Sequence, residues 1–371
     1  MTPSGDLRSA YEGRRVLVTG HTGFKGSWLT VWLETLGARV TGLSLPPGPE
    51  RSLFHDAGIE ALAAGRVGDI REEGVLEGAL AASSPAAVFH LAAQSLVRRS
   101  YRNPLETFET NVLGTWRLLE AIRRLGRACA VVVVTSDKCY ESAGTPDGYR
   151  EEDALGGHDP YSASKAAAEI VVGGYRRSFF PPDRLAGHGV ALASARAGNV
   201  LGGGDWGEDR LIPDAALALE ENRPVPVRNP DSVRPWQHVL EPLSGYLQLG
   251  ARLMDRASGA AFCQPWNFGP RPENARPVRD VVEEFLAGWG GGRWEDRHDA
   301  QAPHEAVELR LSAEKARTKL GWNPRWRFEE TIARTAAWYR RRADGANRDE
   351  LLALLRGQIA DYGAGDGARA A

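Results

Sequence analysis

Only three of the 371 residues are cysteine, Cys129, Cys139 and Cys263. An odd set without metal-type spacing implies neither a disulfide scaffold nor a zinc site, so no metal is expected. No stretch approaches ~18 uninterrupted apolar residues, which excludes a membrane-spanning helix. The first fifteen residues are polar and charged, with no apolar run of signal-peptide length. Neither sign of charge dominates: 46 basic residues nearly cancel 48 acidic ones, and the net charge is −2. Without a long block of one sign, partnership with nucleic acid or a membrane surface has no electrostatic support. The chain reads as a reduced, soluble, cytoplasmic protein. Its composition, 42% apolar and 25% charged, excludes a disordered or fibrous chain. Its length exceeds what one hydrophobic core usually organises, so one large or two coupled domains are expected.

Lysine is also scarce. Lys25, Lys138, Lys165, Lys315 and Lys319 are the only five among the 46 basic residues. Arginine is planar and stays protonated, whereas lysine is compact and can lose its proton when buried. A chain that writes nearly every surface cation as arginine marks its few lysines as places where an ammonium is specifically required. Lys315 and Lys319 read as ordinary residues of a solvated helix.

From Arg14 a short β-branched run, Val16-Leu17-Val18-Thr19, ends in the glycine turn at Gly20. A helical pattern over 26–36 follows, then a second strand over 38–43. Strand, glycine turn, helix and strand within thirty residues make a βαβ unit. The alternation continues with strands expected over 67–70, 87–91, 129–135 and 190–195, and helices over 74–82, 104–125 and 161–179. Such strands need cover on both faces, so the fold class is α/β, a Rossmann-type doubly wound parallel sheet. After a glycine-rich loop over 198–207 the rhythm changes. Helices over 211–221 and 278–289 are separated by short, proline-broken pieces, which points to a smaller C-terminal substrate-binding lobe. The expected division is a dinucleotide-binding domain over 10–195, rejoined by about 235–265, and a lobe made of 196–234 and 266–345. Residues 346–371 read as a tail, helical over 349–359 and frayed at its end.

Gly20-His21-Thr22-Gly23-Phe24-Lys25-Gly26 follows the first strand and opens the first helix. In that position the first glycine permits the tight turn, the second lets backbone N–H groups approach a pyrophosphate, and the third packs helix on strand. The helix N-terminus adds the positive end of a dipole. The second strand, ending Leu43-Ser44-Leu45-Pro46, lacks the acidic residue expected to hold the adenosine ribose. Ser44 can hydrogen-bond a ribose hydroxyl and Arg51 can approach a 2′-phosphate, so this strand leaves NAD against NADP open. Asp69 is either a contact to the adenine amino group or an Asx turn at a strand end.

Tyr161 and Lys165 stand four apart at the start of a helix, hence on one face. A tyrosine that moves protons near neutrality needs its pKa of about 10 brought down, and an adjacent ammonium does this.

With these pieces assembled, the chain resembles the extended short-chain dehydrogenase/reductase superfamily over about 14–339. The matching stretches are Gly20 to Gly26, Asp69-Ile70, His90-Leu91-Ala92-Ala93-Gln94, Asn111, the Tyr161/Lys165 pair and Arg196-Ala197-Gly198-Asn199-Val200. The resemblance implies that Tyr161 is the acid/base and that Lys165 holds the nicotinamide ribose. It also implies that Gly20, Thr22, Gly23, Phe24, Gly26, Ser44, Asp69, Ile70, Leu91, Ala92, Ala93 and Asn111 hold NAD. Most extended members act on nucleotide sugars. The segment Ser136-Asp137-Lys138 is similar to that of the CDP-glucose 4,6-dehydratases, where the dTDP-glucose enzymes carry Thr-Asp-Glu and the epimerases carry no acid. Gly203-Gly204-Asp205-Trp206, Asp209-Arg210-Leu211-Ile212-Pro213-Asp214 and Arg234-Pro235-Trp236-Gln237-His238-Val239 match the same branch.

That branch implies CDP-glucose as substrate, with oxidation at C4, loss of water across C5 and C6, and reduction at C6. Ser136 aids Tyr161 at the C4 hydroxyl, Asp137 protonates the departing hydroxyl, and Lys138 takes the C5 proton or stabilises the enolate as a cation. Gln94, Asn199, Asp205, Trp206, Arg210 and Arg234 would bind the substrate. Arginines and a flat aromatic suit a diphosphate and a pyrimidine; equally, Trp206 and Trp236 could be core and Arg210 and Arg234 surface. The rivals are a 4-epimerase, against which Asp137 argues, and a dTDP-glucose 4,6-dehydratase, against which Lys138 argues. A non-enzymatic dinucleotide sensor would need neither Tyr161 nor Lys165. By analogy, the helices over 104–125 and after Tyr161 pair across a homodimer or a higher homo-oligomer.

Overall fold

The computed structural model describes residues 3–48, 51–141, 147–297 and 310–364. Its centre is a seven-stranded sheet in which every neighbouring pair is parallel. The strands are β1 (Arg15–Thr19), β2 (Arg39–Ser44), β3 (Ala64–Val67), β4 (Ala87–His90), β5 (Cys129–Val134) and β6 (Val190–Ala197), with Pro265–Phe268 at the edge. Across the sheet the order is β3, β2, β1, β4, β5, β6 and the Pro265–Phe268 strand. The order reverses between β1 and β4, and in such sheets ligands bind outside the carboxyl ends of the strands at that switch point.

Strand β5 shows why this sequence demands cover on both faces. All six of its residues are buried. Val131 and Val133 pack with Leu118, Leu119, Ile122 and Val172 of the helices Gly114–Leu125 and Pro160–Ser178. The alternate residues Ala130, Val132 and Val134 join the core containing Leu243, Tyr246 and Leu247 of the helix Leu240–Met254. Period-two alternation thus divides one apolar strand between two cores.

Several expected boundaries move, each for a physical reason. The helix expected over 104–125 is interrupted: Pro104–Phe108 and Gly114–Leu125 flank a π-helical turn, Glu109–Leu113. There the Asn111 amide donates to the carbonyl of Gln94 at 2.9 Å and to Ser164 Oγ at 2.8 Å. Its Oδ1 accepts from the Gln94 N–H at 2.8 Å. Extra turns of this kind gather at functional sites. The strand expected over 67–70 instead runs Ala64–Val67, and the residues expected to continue it form an Asx turn in which Asp69 accepts from the Arg71 N–H at 2.9 Å. The sheet return expected over 235–265 runs on through the edge strand Pro265–Phe268.

The C-terminal segment is a core element, not a tail. Its helix, Arg348–Ala364, buries Leu351, Leu355, Ile359 and Tyr362, a stripe at helical spacing, and packs on the helix Phe24–Thr35. Tyr362 Oη donates to Glu241 Oε2 at 2.6 Å. The last stretch of the expected tail, 365–371, lies outside the described residues. Over the carboxyl ends of the sheet stand small strand pairs, Val225–Val227 with Trp294–Asp296 and Val233–Pro235 with Ala275–Pro277. The helix Leu211–Glu220 accompanies them. A cleft of about 690 Å³ lies between them and the sheet.

Candidate active site

The glycine loop forms one end of the cleft. Gly20 has φ +78°, and a Cβ there would sit 2.7 Å from the backbone N of Ala92, so the turn and the close approach to the strand after β4 both require glycine. The helix Phe24–Thr35 that follows has no side-chain cap and no acidic residue in its first turn. Its N–H groups therefore stay available to an anion, as a pyrophosphate needs. Gly20, Thr22, Gly23, Phe24, Gly26, Ser44, Asp69, Ile70, Leu91, Ala92 and Ala93 all line this end. The residues present fit a dinucleotide.

Some of these side chains are already engaged. The Ser44 hydroxyl is hydrogen-bonded to His21 Nδ1 at 2.8 Å. Asp69 is held by the Arg71 guanidinium at 2.6 and 2.9 Å, which draws its carboxyl below the ordinary range. Asp69 is thus a turn residue that also lines the cleft. Arg51 pairs with Glu220 at 2.7 Å and lies outside the cleft lining, so nothing places it near a ribose. Asn111 is likewise outside the lining: it is a clamp behind Gln94, not a wall of the site.

The reacting end is built by two helical N-termini. After β5, Ser136 is extended and its hydroxyl accepts from the Lys138 N–H at 3.2 Å, starting the turn Asp137–Cys139. Asp159 caps the helix Pro160–Ser178, accepting from the Ser162 N–H at 2.9 Å, with Pro160 in its first turn. This brings Tyr161 and Lys165 into the same cleft as Ser136, Asp137 and Lys138. Ser136 Oγ donates to Asp137 Oδ1 at 2.9 Å, and Lys165 Nζ donates to the carbonyl of Val134 at 3.4 Å.

Electrostatics separates their roles. Burial pushes the Asp137 carboxyl up, against the opposing pull of Lys138, Ser136 and Lys25. Burial pushes Lys165 down to about 8, helped by the charge of Lys25. At the Tyr161 phenol burial dominates and raises it to about 12, against the expected lowering, while Ser136 and Arg210 pull the other way. Lys138 makes no ion pair with Asp137 or Glu141; the latter instead faces His158 at 3.4 Å.

The residues expected to bind substrate divide. Gln94, Asn199, Asp205, Arg210 and Arg234 line the cleft. The Gln94 amide is spoken for by Leu96 and Thr107, and Arg210 pairs with Asp205 at 2.6 Å. Trp206 does not line it. Its indole donates to Asp56 at 3.0 Å and lies between Arg51, Arg342 and Tyr339. Trp236 does line the cleft, as do Phe24 and Tyr161.

Lys25, Arg98, Asp209 and Arg228, none of them given a site role from the sequence, also line the cleft. Lysine scarcity was a usable signal for Lys25, whose ammonium is lowered to about 8 by burial and Arg210, with Asp137 and Asp205 opposing. For Arg98 and Arg228, in so arginine-rich a chain, no local signal exists. Among the described residues no cluster of His, Cys, Asp or Glu could hold a metal ion, and no helix is long and apolar enough to cross a membrane.

A family model described as GDP-mannose 4,6 dehydratase matches residues 17–250. A CDP-glucose 4,6-dehydratase of Salmonella typhimurium is 47% identical over 355 residues, covering 96% of this chain and 98% of that one. The chain belongs to the nucleotide-sugar 4,6-dehydratase family. Solved structures agree in fold. The dTDP-glucose 4,6-dehydratase of Streptomyces venezuelae, solved with NAD bound, is 26% identical with a TM-score of 0.72, over 88% of this chain and 97% of that one. The UDP-glucose 4-epimerase of Thermus thermophilus, also in complex with NAD, is 26% identical with a TM-score of 0.72, over 88% and 99%.

Proposed function

We propose that the chain is an NAD-dependent hydro-lyase that converts CDP-D-glucose to CDP-4-keto-6-deoxy-D-glucose. The observation that carries this reading is one cleft holding two separate proton-handling groups beside a dinucleotide loop: the Tyr161 phenol and the buried Asp137 carboxyl. A 4-epimerase needs only the first. The 47% identical relative supports cytidine diphosphate as the carrier.

Gly20, Gly23 and the N-terminus of the helix Phe24–Thr35 would hold the NAD pyrophosphate, with Asp69, Ile70, Ala92, Ala93 and Lys165 along its length. Bound NAD supplies a hydride acceptor for oxidation at C4 and a hydride donor for reduction at C6, and ends each turnover in its starting form. Tyr161 receives the C4 hydroxyl proton, with Ser136 and Arg210 favouring its phenolate against burial. The C4 ketone acidifies the C5 proton, which Lys138 takes. Asp137, whose carboxyl burial pushes up, donates to the hydroxyl leaving C6. Arg210 and Arg234 face the diphosphate, and Asn199 and Asp205 the sugar. In this reading 196–234 with 269–345 form the substrate lobe.

The same sequence of acts needs nucleotide sugars and NAD, and with three buried, unpaired cysteines it suits the reducing cytoplasm. A homodimer is part of the proposal. Leu105, Trp116, Ile170 and Phe179 expose large apolar side chains on the helices around Pro104–Phe108, Gly114–Leu125 and Pro160–Ser178.

The deciding experiment assays CDP-, dTDP-, UDP- and GDP-glucose side by side for a 4-keto product absorbing in strong alkali. CDP-glucose should be preferred, with no net NADH formed. NADH accumulating in step with product would overturn the dehydratase reading, and preference for another nucleotide would overturn the cytidine assignment.

A further inference from the structure

Arg98, Arg102, Arg210 and Arg228 all line the cleft, and each is paired with a carboxylate between residues 205 and 214. Asp209 stands apart within this set because it joins two walls. Its Oδ1 accepts from Arg98 Nη1 at 3.4 Å, from the helix Val97–Arg102, and from Arg228 Nη1 at 3.1 Å, just beyond the strand Val225–Val227. Its backbone carbonyl accepts from Arg228 Nη2 at 3.3 Å. The same residue has φ +62°, the left-handed region that a residue with a Cβ enters at a cost. Both ion pairs are long and about one-third exposed, so each is weak and exchangeable.

We propose that Asp209 is a specificity-determining residue, an internal anion that occupies Arg98 and Arg228 until a ligand carrying a diphosphate displaces it. This rests on the reading of the cleft as a nucleotide-sugar site and deepens it. Asp209 offers a single charge to two guanidinium groups, of which Arg228 also reaches Asp214 at 3.3 Å. A diphosphate offers two adjacent charges and enough oxygens for both forks, so it exchanges favourably where a monophosphate competes less well and an uncharged ligand not at all. Specificity here comes from a penalty on the wrong ligand as much as from contacts to the right one.

The test is calorimetric titration of the full chain with CDP, CMP and cytidine, comparing wild type with Asp209→Asn and Asp209→Gly. Asparagine and glycine both accept the left-handed conformation, so each removes the charge without a new backbone penalty. Both variants should bind CDP roughly three- to tenfold tighter, the scale of weak exposed ion pairs. The preference for CDP over CMP should narrow, and the affinity for cytidine should not change. Wild-type or weaker CDP affinity in both variants would overturn the role of Asp209 and leave the nucleotide-sugar reading standing. Equal tightening toward cytidine would also overturn it, since no anion is then being displaced. Failure of wild type to bind CDP at all would instead sink the nucleotide-sugar reading itself.

Discussion

The Arg196 guanidinium donates to Glu169 Oε2 at 2.8 Å, and the two side chains are only 3% and 2% exposed. Thr135 Oγ1 donates to the other oxygen of Glu169 at 2.5 Å, and Ser194 Oγ adds a third bond at 2.8 Å. Burial would push the Glu169 carboxyl up, but Arg196 and these hydroxyls hold it below its ordinary value. Glu169 lies one helical turn beyond Lys165, so the pair fixes the helix carrying Tyr161 and Lys165 to the ends of β5 and β6. Removing one partner strands the other. Glu169→Gln should lower unfolding stability by about 3–5 kcal/mol, because an uncompensated guanidinium is left buried. A Glu169→Met/Arg196→Met double variant should recover much of the loss. Urea unfolding of the three proteins checks this; wild-type stability in Glu169→Gln would show that the pair is not what anchors the helix.

Asp137 is buried, receives the Ser136 hydroxyl and has its pKa raised, which is what an acid for a poor leaving group needs. A positioned acid contributes about 10²–10⁴-fold, or roughly 3–5 kcal/mol of barrier. Asp137→Asn should therefore still oxidise substrate at C4 but slow elimination by that factor, so that bound NADH and the 4-keto hexose accumulate. Rapid-quench analysis of single turnovers resolves the two steps. Loss of the first hydride transfer, with normal elimination from supplied 4-keto substrate, would contradict the assignment.

How much of this was legible beforehand depends on whether the signal was local. The parallel sheet and the placement of Tyr161 and Lys165 on one helix facing the cleft are written in short-range periodicity and spacing. The residues joined only by tertiary structure were not legible. Arg98 and Arg228 are two arginines among 41, and only the fold brings both to Asp209. Trp206 shows the opposite failure: its motif pointed to the substrate, yet its indole is consumed by Asp56 and neighbouring arginines. The C-terminal helix was mistaken for a tail because its stripe, Leu351, Leu355, Ile359 and Tyr362, makes sense only against a distant helix and Glu241.

Lys138 lines the cleft next to Asp137 without an ion pair to it, so its ammonium or amine is available to substrate. If it takes the C5 proton, Lys138→Met should abolish deuterium wash-in at C5 of the 4-keto intermediate in D₂O while leaving C4 oxidation in place. Loss of a positioned base is expected to slow exchange about 10²–10⁴-fold. Exchange that persists near the wild-type rate would remove Lys138 as the base and leave it the electrostatic part, stabilising the enolate oxygen. Proton NMR of the trapped intermediate distinguishes these outcomes.

Glu241 offers a prediction about pH. It is 1% exposed, accepts from the backbone N–H of Arg325 at 2.9 Å and of Trp326 at 2.7 Å, and receives the Tyr362 hydroxyl. Burial nevertheless prevails and lifts its carboxyl from 4.5 to about 7. Between those values the folded protein holds a proton that the unfolded chain has released. Stability from this group is therefore full below about pH 4.5, declines as pH rises toward 7, and stays at its lower level beyond. At about 1.4 kcal/mol per pKa unit the loss is roughly 3 kcal/mol. Glu241→Gln keeps the shape and cannot ionise, so relative to it the wild-type urea midpoint should fall from about pH 5 to about pH 8, with the helix Arg348–Ala364 loosening first. Hydrogen exchange of that helix provides the second readout. Parallel midpoint-versus-pH curves for the two proteins would mean that Glu241 does not titrate in this range, and that its backbone and Tyr362 bonds outweigh burial.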